Sequence, residues 1–365
     1  MIITHTDIWK LSIPMHPFRI ATGTMHSAQN TFIRVHTNEG IYGTGECSAF
    51  PVITGETQNT CFELGREFAT LWKNKNPLER GARLAEIQQF VASNYTIKSA
   101  FDMALYDLAA KHAAKPLYAF LGGTKKPMES DLTIGIDDPV SMAKTAEEFA
   151  SRGVNIIKIK LGAGATDDIT RVKLIRAAVG PSIKLRIDAN QGWTYEEASA
   201  TLVALAPYFP EFCEQPMRKW NDHLLPGLRK NSPIPIMADE SVFDHHDAQR
   251  LIDMDACDYV NIKFAKSGGI AESLRIHQVC AKGGITCMIG GMLESRMALT
   301  AFAHFASACN NIQFYDMDTC MLGHKIDPVA GGATFYGLTL HLPDAPGIGA
   351  DINDEFLASC EHIKV

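Results

Sequence analysis

The feature that most constrains the fold of this chain is a run of short apolar segments that recurs from about residue 131 onward. Each segment has the length of a buried strand, and helical segments alternate with them. The predicted strands are Leu132–Ile136, Ile156–Lys160, Ile183–Asp188, Glu211–Glu214, Ile234–Asp239, Tyr259–Lys263, Thr286–Ile289 and Ile312–Asp316. Their ends are about 25 residues apart, which is the period of one βα unit, and eight such units close a parallel barrel. The sequence therefore predicts an α/β fold based on a (β/α) barrel.

The first third of the chain has a different pattern, which is typical of an α+β unit. The predicted strands here are Ile2–Ser12 and Thr31–Val35, and the predicted helices are Gln58–Lys73, Leu78–Phe90 and Ile97–Ala113. With 365 residues, the chain is long enough for two packed units. We therefore predict an N-terminal domain at residues 1–125 and a barrel at residues 126–334.

Charged residues stand at the carboxyl ends of the predicted barrel strands. They are Lys160, Asp188, Glu214, Asp239, Lys263 and Asp316. In a (β/α) barrel these strand ends surround the active site, whereas the apolar residues before them form the core. One charged strand end could be a helix cap or a surface residue, but six at the same period indicate a functional site.

Three of these strand ends are carboxylates on consecutive strands: Asp188, Glu214 and Asp239. Three like charges so close together are unfavourable unless a cation neutralises them. Oxygen ligands select a hard ion such as Mg²⁺, which keeps coordination positions for water or substrate. The sequence therefore predicts a Mg²⁺ site, and the alternative is three unrelated capping residues.

Lysines flank the predicted metal site on both sides. Lys158 and Lys160 lie two residues apart on one strand and so share a face, and Lys263 ends the strand after Asp239. Abstraction of a proton next to a carboxylate needs a neutral base, and the neighbouring ammonium of Lys158 is placed to lower the pKa of Lys160. Lys263 could return the proton to the opposite face and so invert a stereocentre. The alternative is that the lysines only balance the carboxylate charges.

In these residues, and in the segment ALYDLAAKHAAKPLYAFLGG before the barrel, the chain resembles the muconate-lactonizing subgroup of the enolase superfamily. The resemblance implies a modified (β/α)8 barrel, in fact (β/α)7β, beneath an N-terminal α+β capping domain that the C-terminal tail, about 335–365, completes. It also implies one Mg²⁺ per subunit, held by Asp188, Glu214 and Asp239, with Lys160 and Lys263 as the catalytic bases.

Within the subgroup the chain is most similar to dipeptide epimerases, whose mark is an Asp-x-Asp at the end of the eighth strand, here Asp316 and Asp318. The resemblance implies that these two carboxylates bind the α-ammonium group of a dipeptide. It further implies substrate contacts from a set of residues on other strand ends. These are Thr133, Lys158, Gly291 and Leu293.

Two capping-domain segments, Phe18–Met25 and Pro51–Gly55, are predicted to be mobile loops that close over the barrel and set the substrate preference. Epimerases that act on Ala-Glu carry an arginine where this chain aligns Gly23. The second segment offers the apolar Val52 and Ile53. A site without a cation disfavours a buried carboxylate, so we expect small or apolar dipeptides such as Ala-Ala or Ala-aliphatic to be preferred.

Other functions remain open from the residues alone. A cycloisomerase, an o-succinylbenzoate synthase or an N-succinylamino-acid racemase would use the same lysines and metal. Asp316 and Asp318 argue against them, since their substrates offer no ammonium group. The alternative from another class is a non-catalytic barrel that binds a ligand, for which the retained lysines and carboxylates have no chemical purpose.

Composition limits the partners and the compartment. The formal net charge of -7 and the lack of a basic run disfavour nucleic-acid binding, and we expect no membrane segment and no signal peptide. Nine cysteines without a CxxC pair favour reduced thiols and a cytoplasmic location. Several histidines, including His5 and His16, show no ligand spacing and are interpreted as surface or core residues. Barrels of this kind often self-associate, so a homo-oligomer is an expectation.

Overall fold

The barrel predicted from the strand period is present in the computed structural model, which describes residues 1–365 apart from the side chain of Leu322. Its strands are Leu132–Ile134, Ile156–Lys160, Lys184–Asp188, Pro210–Glu214, Ile236–Ala238, Tyr259–Ile262, Thr286–Gly290 and Ile312–Asp316. They pair in parallel and in chain order. The amide of Asp131 donates a hydrogen bond to the Tyr315 carbonyl at 3.1 Å, which joins the last strand to the start of the first.

Helices cover the outside of the barrel, and so its strands are buried on both faces. The α-helices are Pro139–Ser151, Ala165–Val179, Tyr195–Leu205, Leu225–Asn231, His245–Asp253, Phe264–Ser267, Ile270–Lys282, Arg296–Ala308 and Thr319–Leu322, with 3₁₀ turns at Ala206–Tyr208 and Lys219–Leu224. The helix that comes directly after the last barrel strand, Thr319–Leu322, has only four residues. This is the (β/α)7β arrangement that the family resemblance implies.

The two faces of each barrel strand have different roles. Ile157 and Ile159 are fully buried in the main core, whereas Lys158 and Lys160 point to the other side of the same strand. Phe212 lies two residues before Glu214 and therefore points to the same inward face of the strand. It packs in a small cluster with Met237 and Met288. Apolar side chains therefore fill the barrel interior below the charged strand ends.

The capping domain is an antiparallel sheet packed on helices. Its strands are Ile3–Ile20, Gly23–Thr37 and Tyr42–Ser48, and its helices are Pro51–Thr54, Gln58–Trp72, Arg80–Phe90, Tyr95–His112 and Leu117–Phe120. Gly45 allows the sheet to pack closely against the helix Tyr95–His112. A Cβ at this position would lie only 1.9 Å from the carbonyl oxygen of Ala100 in that helix. This approach places the sheet directly against that helix.

The C-terminal segment returns to the capping domain. The strand His362–Lys364 pairs with the edge of Ile3–Ile20 and becomes the fourth strand of the capping sheet. The remaining elements are the short strands Met128–Glu129, Val329–Gly331, Thr334–Tyr336, Thr339–His341 and Ala350–Ile352, and the helix Asp354–Leu357. The exact domain limits at residues 125 and 334 stay a prediction.

The prediction of a loop at Phe18–Met25 is wrong. The first strand continues to Ile20, and the second strand begins at Gly23. Phe18 pairs directly with Met25, so only a two-residue turn remains between the two strands. The hairpin extends well beyond the body of the sheet, which local residue patterns do not reveal. In the second segment, Pro51–Thr54 forms one helical turn that ends at Gly55, whose φ of 78° is left-handed.

Candidate active site

Two adjoining cavities lie between the barrel mouth and the capping hairpin. The larger one, about 190 Å³, is lined by Met15, His16, Pro17, Phe18, Thr133, Lys160, Gly291, Met292, Leu293, Asp316, Asp318, Thr319 and Gly323. The smaller one, about 40 Å³, is lined by Phe18, Ile20, Phe50, Ile53, Lys160, Asn190, Asp239, Glu240, Lys263, Gly291, Met292 and Leu293. Lys160 borders both, and it therefore stands at the junction of two subsites.

The three strand-end carboxylates predicted to hold a metal are buried, and each is paired with a lysine. Lys160 Nζ lies 2.7 Å from Asp188 Oδ2, and Lys263 Nζ lies 2.9 Å from Asp239 Oδ2. Glu214 Oε2 is 2.7 Å from Lys158 Nζ, although the angle is not that of a hydrogen bond. The sequence-predicted lysines and carboxylates thus meet in one charged layer.

The carboxyl groups of this layer differ in their tendency to ionise. Burial, followed by the nearby Asp188 charge, raises the pKa of Glu214 to about 7. Burial also opposes ionisation of Asp239, but the ammonium groups of Lys263 and Lys266 outweigh it and hold the pKa of that carboxyl well below its usual range. Of the three strand-end carboxylates, Glu214 is therefore the one whose negative charge is least well compensated.

The charge balance of the layer fits a divalent cation. Six carboxylates meet four ammonium groups there: Asp188, Glu214, Asp239, Glu240, Asp316 and Asp318 against Lys158, Lys160, Lys263 and Lys266. All are buried, so their charges are poorly screened by solvent. The buried oxygens Glu214 Oε2 and Glu240 Oε2 accept no hydrogen bond from any group in the described part of the chain. An oxygen-only donor set with an excess of negative charge is the environment that Mg²⁺ favours.

A second carboxylate group lies nearby, where oxygens of Asp131, Asp316 and Asp318 come within 4.8 Å of one another. It is tighter than the strand-end triad and could also hold a cation. Like the strand-end triad, it has positive partners, since Arg186 Nη1 lies 2.8 Å from Asp131 and Lys158 Nζ lies 2.8 Å from Asp316. The assignment of the metal to Asp188, Glu214 and Asp239 therefore rests on the family resemblance and stays a prediction.

Two of the site lysines, Lys158 and Lys263, have a raised pKa rather than the lowered pKa that a ready base requires. Burial opposes protonation of Lys158, but Asp316 and then Glu214 and Asp188 outweigh it and raise the pKa of its ammonium group. The pKa of Lys263 is likewise raised, by Asp239 and Glu214 against the effect of burial. Three carboxylates surround the Lys158 ammonium group, and its predicted action on Lys160 stays a prediction.

The two carboxylates predicted to bind an ammonium group both lie in the larger cavity. Asp316 and Asp318 line it together with Thr133, whose amide donates a hydrogen bond to Asp318 Oδ2 at 2.6 Å. Burial and then the charge of Asp316 raise the pKa of Asp318 to about 6. Two adjacent acids that disfavour each other's ionisation are stabilised by a cationic ligand between them.

Several residues of the site were missed or misinterpreted from the sequence. Lys266 is fully buried with its Nζ 2.5 Å from Asp239 Oδ1, and its position one turn beyond Lys263 was the available signal. His16, interpreted as a surface or core residue, is exposed and also lines the larger cavity. Gly291 and Leu293 line both cavities, as the family resemblance implies, and Met292 between them does so too.

With this geometry established, the chain can be compared with known proteins. Residues 141–356 match the family described as enolase C-terminal domain-like. Residues 3–122 match the mandelate racemase/muconate lactonizing enzyme N-terminal domain. The chain belongs to the enolase superfamily. The superfamily expected from the lysine and carboxylate pattern is therefore confirmed.

Individual members of the enolase superfamily resemble the chain over its whole length. The D-Ala-D/L-Ala epimerase of Cytophaga hutchinsonii is 41% identical, with 100% of both chains covered. The hydrophobic dipeptide epimerase of Enterococcus faecalis is 40% identical over 91% of this chain and 94% of its own. The crystal structure of the dipeptide epimerase from Cytophaga hutchinsonii, complexed with Mg and D-Ala-L-Val, has a TM-score of 0.98 at 41% identity and covers 100% of both chains.

Proposed function

We propose that this protein is a Mg²⁺-dependent dipeptide epimerase that inverts the α-carbon of the C-terminal residue of small or apolar dipeptides. The observation that carries the proposal is the pair of buried lysines, Lys160 and Lys263, which both border the smaller cavity. They belong to the second and sixth barrel strand positions, with three strands between them on each side of the eight-stranded ring, and so they lie on opposite sides of it. An α-carbon between them has one lysine on each face.

The proposed chemistry is a proton transfer between these two lysines. In one direction Lys160 removes the α-proton while Lys263 delivers a proton to the opposite face, and in the reverse direction the roles exchange. One lysine therefore starts protonated in either direction, which suits the high pKa of Lys263. When held by Asp188, Glu214 and Asp239, Mg²⁺ supplies positive charge that offsets the negative charge growing on the substrate carboxylate.

The direct test is hydrogen exchange in D₂O with a set of dipeptides. Deuterium should enter the α-position of the C-terminal residue, together with change of configuration there and no change at the N-terminal residue. The proposal would be contradicted if deuterium entered the N-terminal residue, or if no dipeptide incorporated deuterium at all. Parallel incubation with an N-succinylamino acid and an o-succinylbenzoate precursor tests the alternatives inside the superfamily.

Side-chain preference follows from the walls of the smaller cavity. Its capping-domain side consists of Phe18, Ile20, Phe50 and Ile53, and its cations are the two lysines of the reaction. Arg19 is exposed and is not among the lining residues. An apolar substrate side chain gains about 0.8 kcal/mol for each methylene it buries there, whereas a carboxylate loses its hydration without a partner.

We therefore expect kcat/KM for Ala-Val to exceed that for Ala-Glu by roughly ten- to a hundredfold, since an unpaired buried charge costs several kcal/mol. The matched variant is Ile53→Arg, which adds a cation to the same wall and should narrow or reverse the ratio. Steady-state polarimetry with both dipeptides measures this ratio of kcat/KM values. A wild-type preference for Ala-Glu would show that the subsite contains a cation other than Lys160 and Lys263.

The ammonium contact gives a second prediction. Asp318→Asn keeps the acceptor for the Thr133 amide but removes a negative charge, so KM for Ala-Val at pH 8 should rise roughly 10- to 100-fold. Turnover of N-acetyl-Ala-Val, which lacks the ammonium group, is the control and should change little. Equal losses with both substrates would mean that Asp318 supports the fold of the site rather than the ammonium group.

The setting of the enzyme is part of the proposal. Among the described helices, none is long and apolar enough to cross a membrane. The nine cysteines are free thiols, which supports the proposed cytoplasmic location. The proposed partner is the dipeptide alone, without nucleic acid or membrane, and assembly into a homo-oligomer stays a prediction that analytical ultracentrifugation can measure.

A further inference from the structure

A cluster of imidazole and carboxylate groups lies on the capping sheet, apart from the active-site cavities. His5 and Asp7 are two residues apart on the first strand, and His36 is the cross-strand partner of His5 on the second. From Asp7 Oδ2, the distance to His36 Nε2 is 3.0 Å and the distance to His5 Nε2 is 3.6 Å. One possible ligand atom from each of the three residues lies within 4.8 Å of the other two.

One hydrogen-bond arrangement around His5 leaves a nitrogen lone pair facing the carboxylate. If the Thr4 hydroxyl donates to the His36 carbonyl at 3.3 Å, it accepts from His5 Nδ1–H at 3.0 Å, and His5 Nε2 then directs a bare lone pair towards Asp7 Oδ2. His36 Nε2 is buried and makes no hydrogen bond within the described part of the chain, although it lies 3.0 Å from Asp7 Oδ2. Ring nitrogens that do not donate to the carboxylate are available to a cation.

A third histidine sets the orientation of the Asp7 carboxylate. On the other side of the carboxylate, His362 Nε2 lies 2.9 Å from Asp7 Oδ1. If His362 donates this hydrogen bond, Oδ1 is occupied and Oδ2 is directed at the two histidines.

We propose that His5, Asp7 and His36 bind one divalent transition-metal ion of the Zn²⁺ class, separate from the active-site Mg²⁺. Two imidazole nitrogens and one carboxylate oxygen, with water as a fourth ligand, form a donor set that suits Zn²⁺. Mg²⁺ prefers oxygen ligands alone and so does not compete for it. The rings of His5 and His36 are stacked with centroids 4.3 Å apart, so at least one ring must rotate out of the stack for both Nε2 lone pairs to meet at one ion.

The metal has a structural role in this arrangement. His5 and His36 belong to adjacent strands, and His362, on the C-terminal strand, positions Asp7. An ion that binds only the folded state stabilises it by mass action. We therefore expect Zn²⁺ to raise the melting temperature of the whole chain without changing kcat/KM, because none of these residues lines the active-site cavities.

The test is equilibrium dialysis of the full-length protein against Zn²⁺, with millimolar Mg²⁺ present throughout. The wild-type protein should bind one more Zn²⁺ per chain than the His36→Gln or Asp7→Asn variant. When Co²⁺ replaces Zn²⁺ at the site, the visible absorption spectrum should show the bands of tetrahedral Co²⁺. His362→Gln should weaken binding roughly tenfold, as expected when the residue that orients a ligand is removed. The matched control is His112→Gln, which alters an exposed histidine of the same domain and should bind as wild type does.

Two results would overturn the proposal. One is the absence of Zn²⁺ binding by wild type under these conditions, and the other is equal binding by wild type, His36→Gln and Asp7→Asn. The circular dichroism spectrum of each variant shows whether it is folded, and His36→Gln and Asp7→Asn change different strands. A fold defect in one variant therefore leaves the other as a valid test.

Discussion

Replacing Lys263 with alanine is expected to abolish epimerisation of Ala-Val while leaving exchange of the α-proton of one epimer. Lys263 Nζ is the acid or base on one face of the proposed substrate position, and Lys160 is on the other. Without Lys263 no proton can be delivered to its face, yet Lys160 can still remove and return a proton on its own side. General acid–base groups typically contribute about 10²- to 10⁴-fold, so turnover should fall by at least that factor.

Two NMR measurements in D₂O distinguish this result from a general loss of activity. The first follows formation of the second epimer, and the second follows loss of the α-proton signal in each pure epimer. Lys160→Ala should retain exchange of the epimer that Lys263→Ala cannot exchange. Lys144→Ala, a change of an exposed lysine on the helix Pro139–Ser151, is the matched control and should behave as wild type. Epimerisation at the wild-type rate in either active-site variant would mean that the two roles are misassigned.

Removal of the metal is expected to have an equally large effect. The charged layer holds six buried carboxylates and four ammonium groups, and the charge developing on the substrate adds to this excess. Exhaustive treatment with EDTA should therefore reduce activity by at least roughly a thousandfold, because stabilisation of a developing charge by a metal amounts to several kcal/mol. Added Mg²⁺ should restore it. Full activity after chelation would exclude a metal from the mechanism.

Substitution of a single ligand tests where the metal binds. Glu214→Gln keeps the oxygen that accepts a hydrogen bond from Asn261 Nδ2 at 2.8 Å, so the fold should persist. The variant should need far more Mg²⁺ for half-maximal activity than wild type. Asp131→Asn is the comparison, since Asp131 belongs to the second carboxylate group. If Asp131→Asn shifted the Mg²⁺ requirement and Glu214→Gln did not, the metal would lie in that group instead.

Strand positions in the barrel were predictable because they depend on local information. The predicted strands Ile156–Lys160 and Ile312–Asp316 have the observed ends, and the others differ by one or two residues. A buried parallel strand needs a short apolar run, and a charged residue marks where the run leaves the core. Since parallel strand ends meet at one edge, Asp188 and Glu214 could be assigned to one site before any coordinates were known.

The capping domain was less predictable because its important contacts are distant in sequence. The strand His362–Lys364 is ordered by pairing with residues at the opposite end of the chain. The hairpin around Phe18 lies over the barrel and lines both cavities, so its conformation depends on tertiary packing. Nor did local spacing reveal that His5 and His36 face the same carboxylate, since they meet only through strand pairing.

The sequence by itself determined the barrel, the family and the residue types available for chemistry. What only the tertiary structure decided is the electrostatic state of those residues. Lys158 is surrounded by three carboxylates, and the pKa of Lys263 is raised rather than lowered. The physical reason is that the energy of a buried charge depends on all charges within a few ångströms, and these come from strands far apart in the chain.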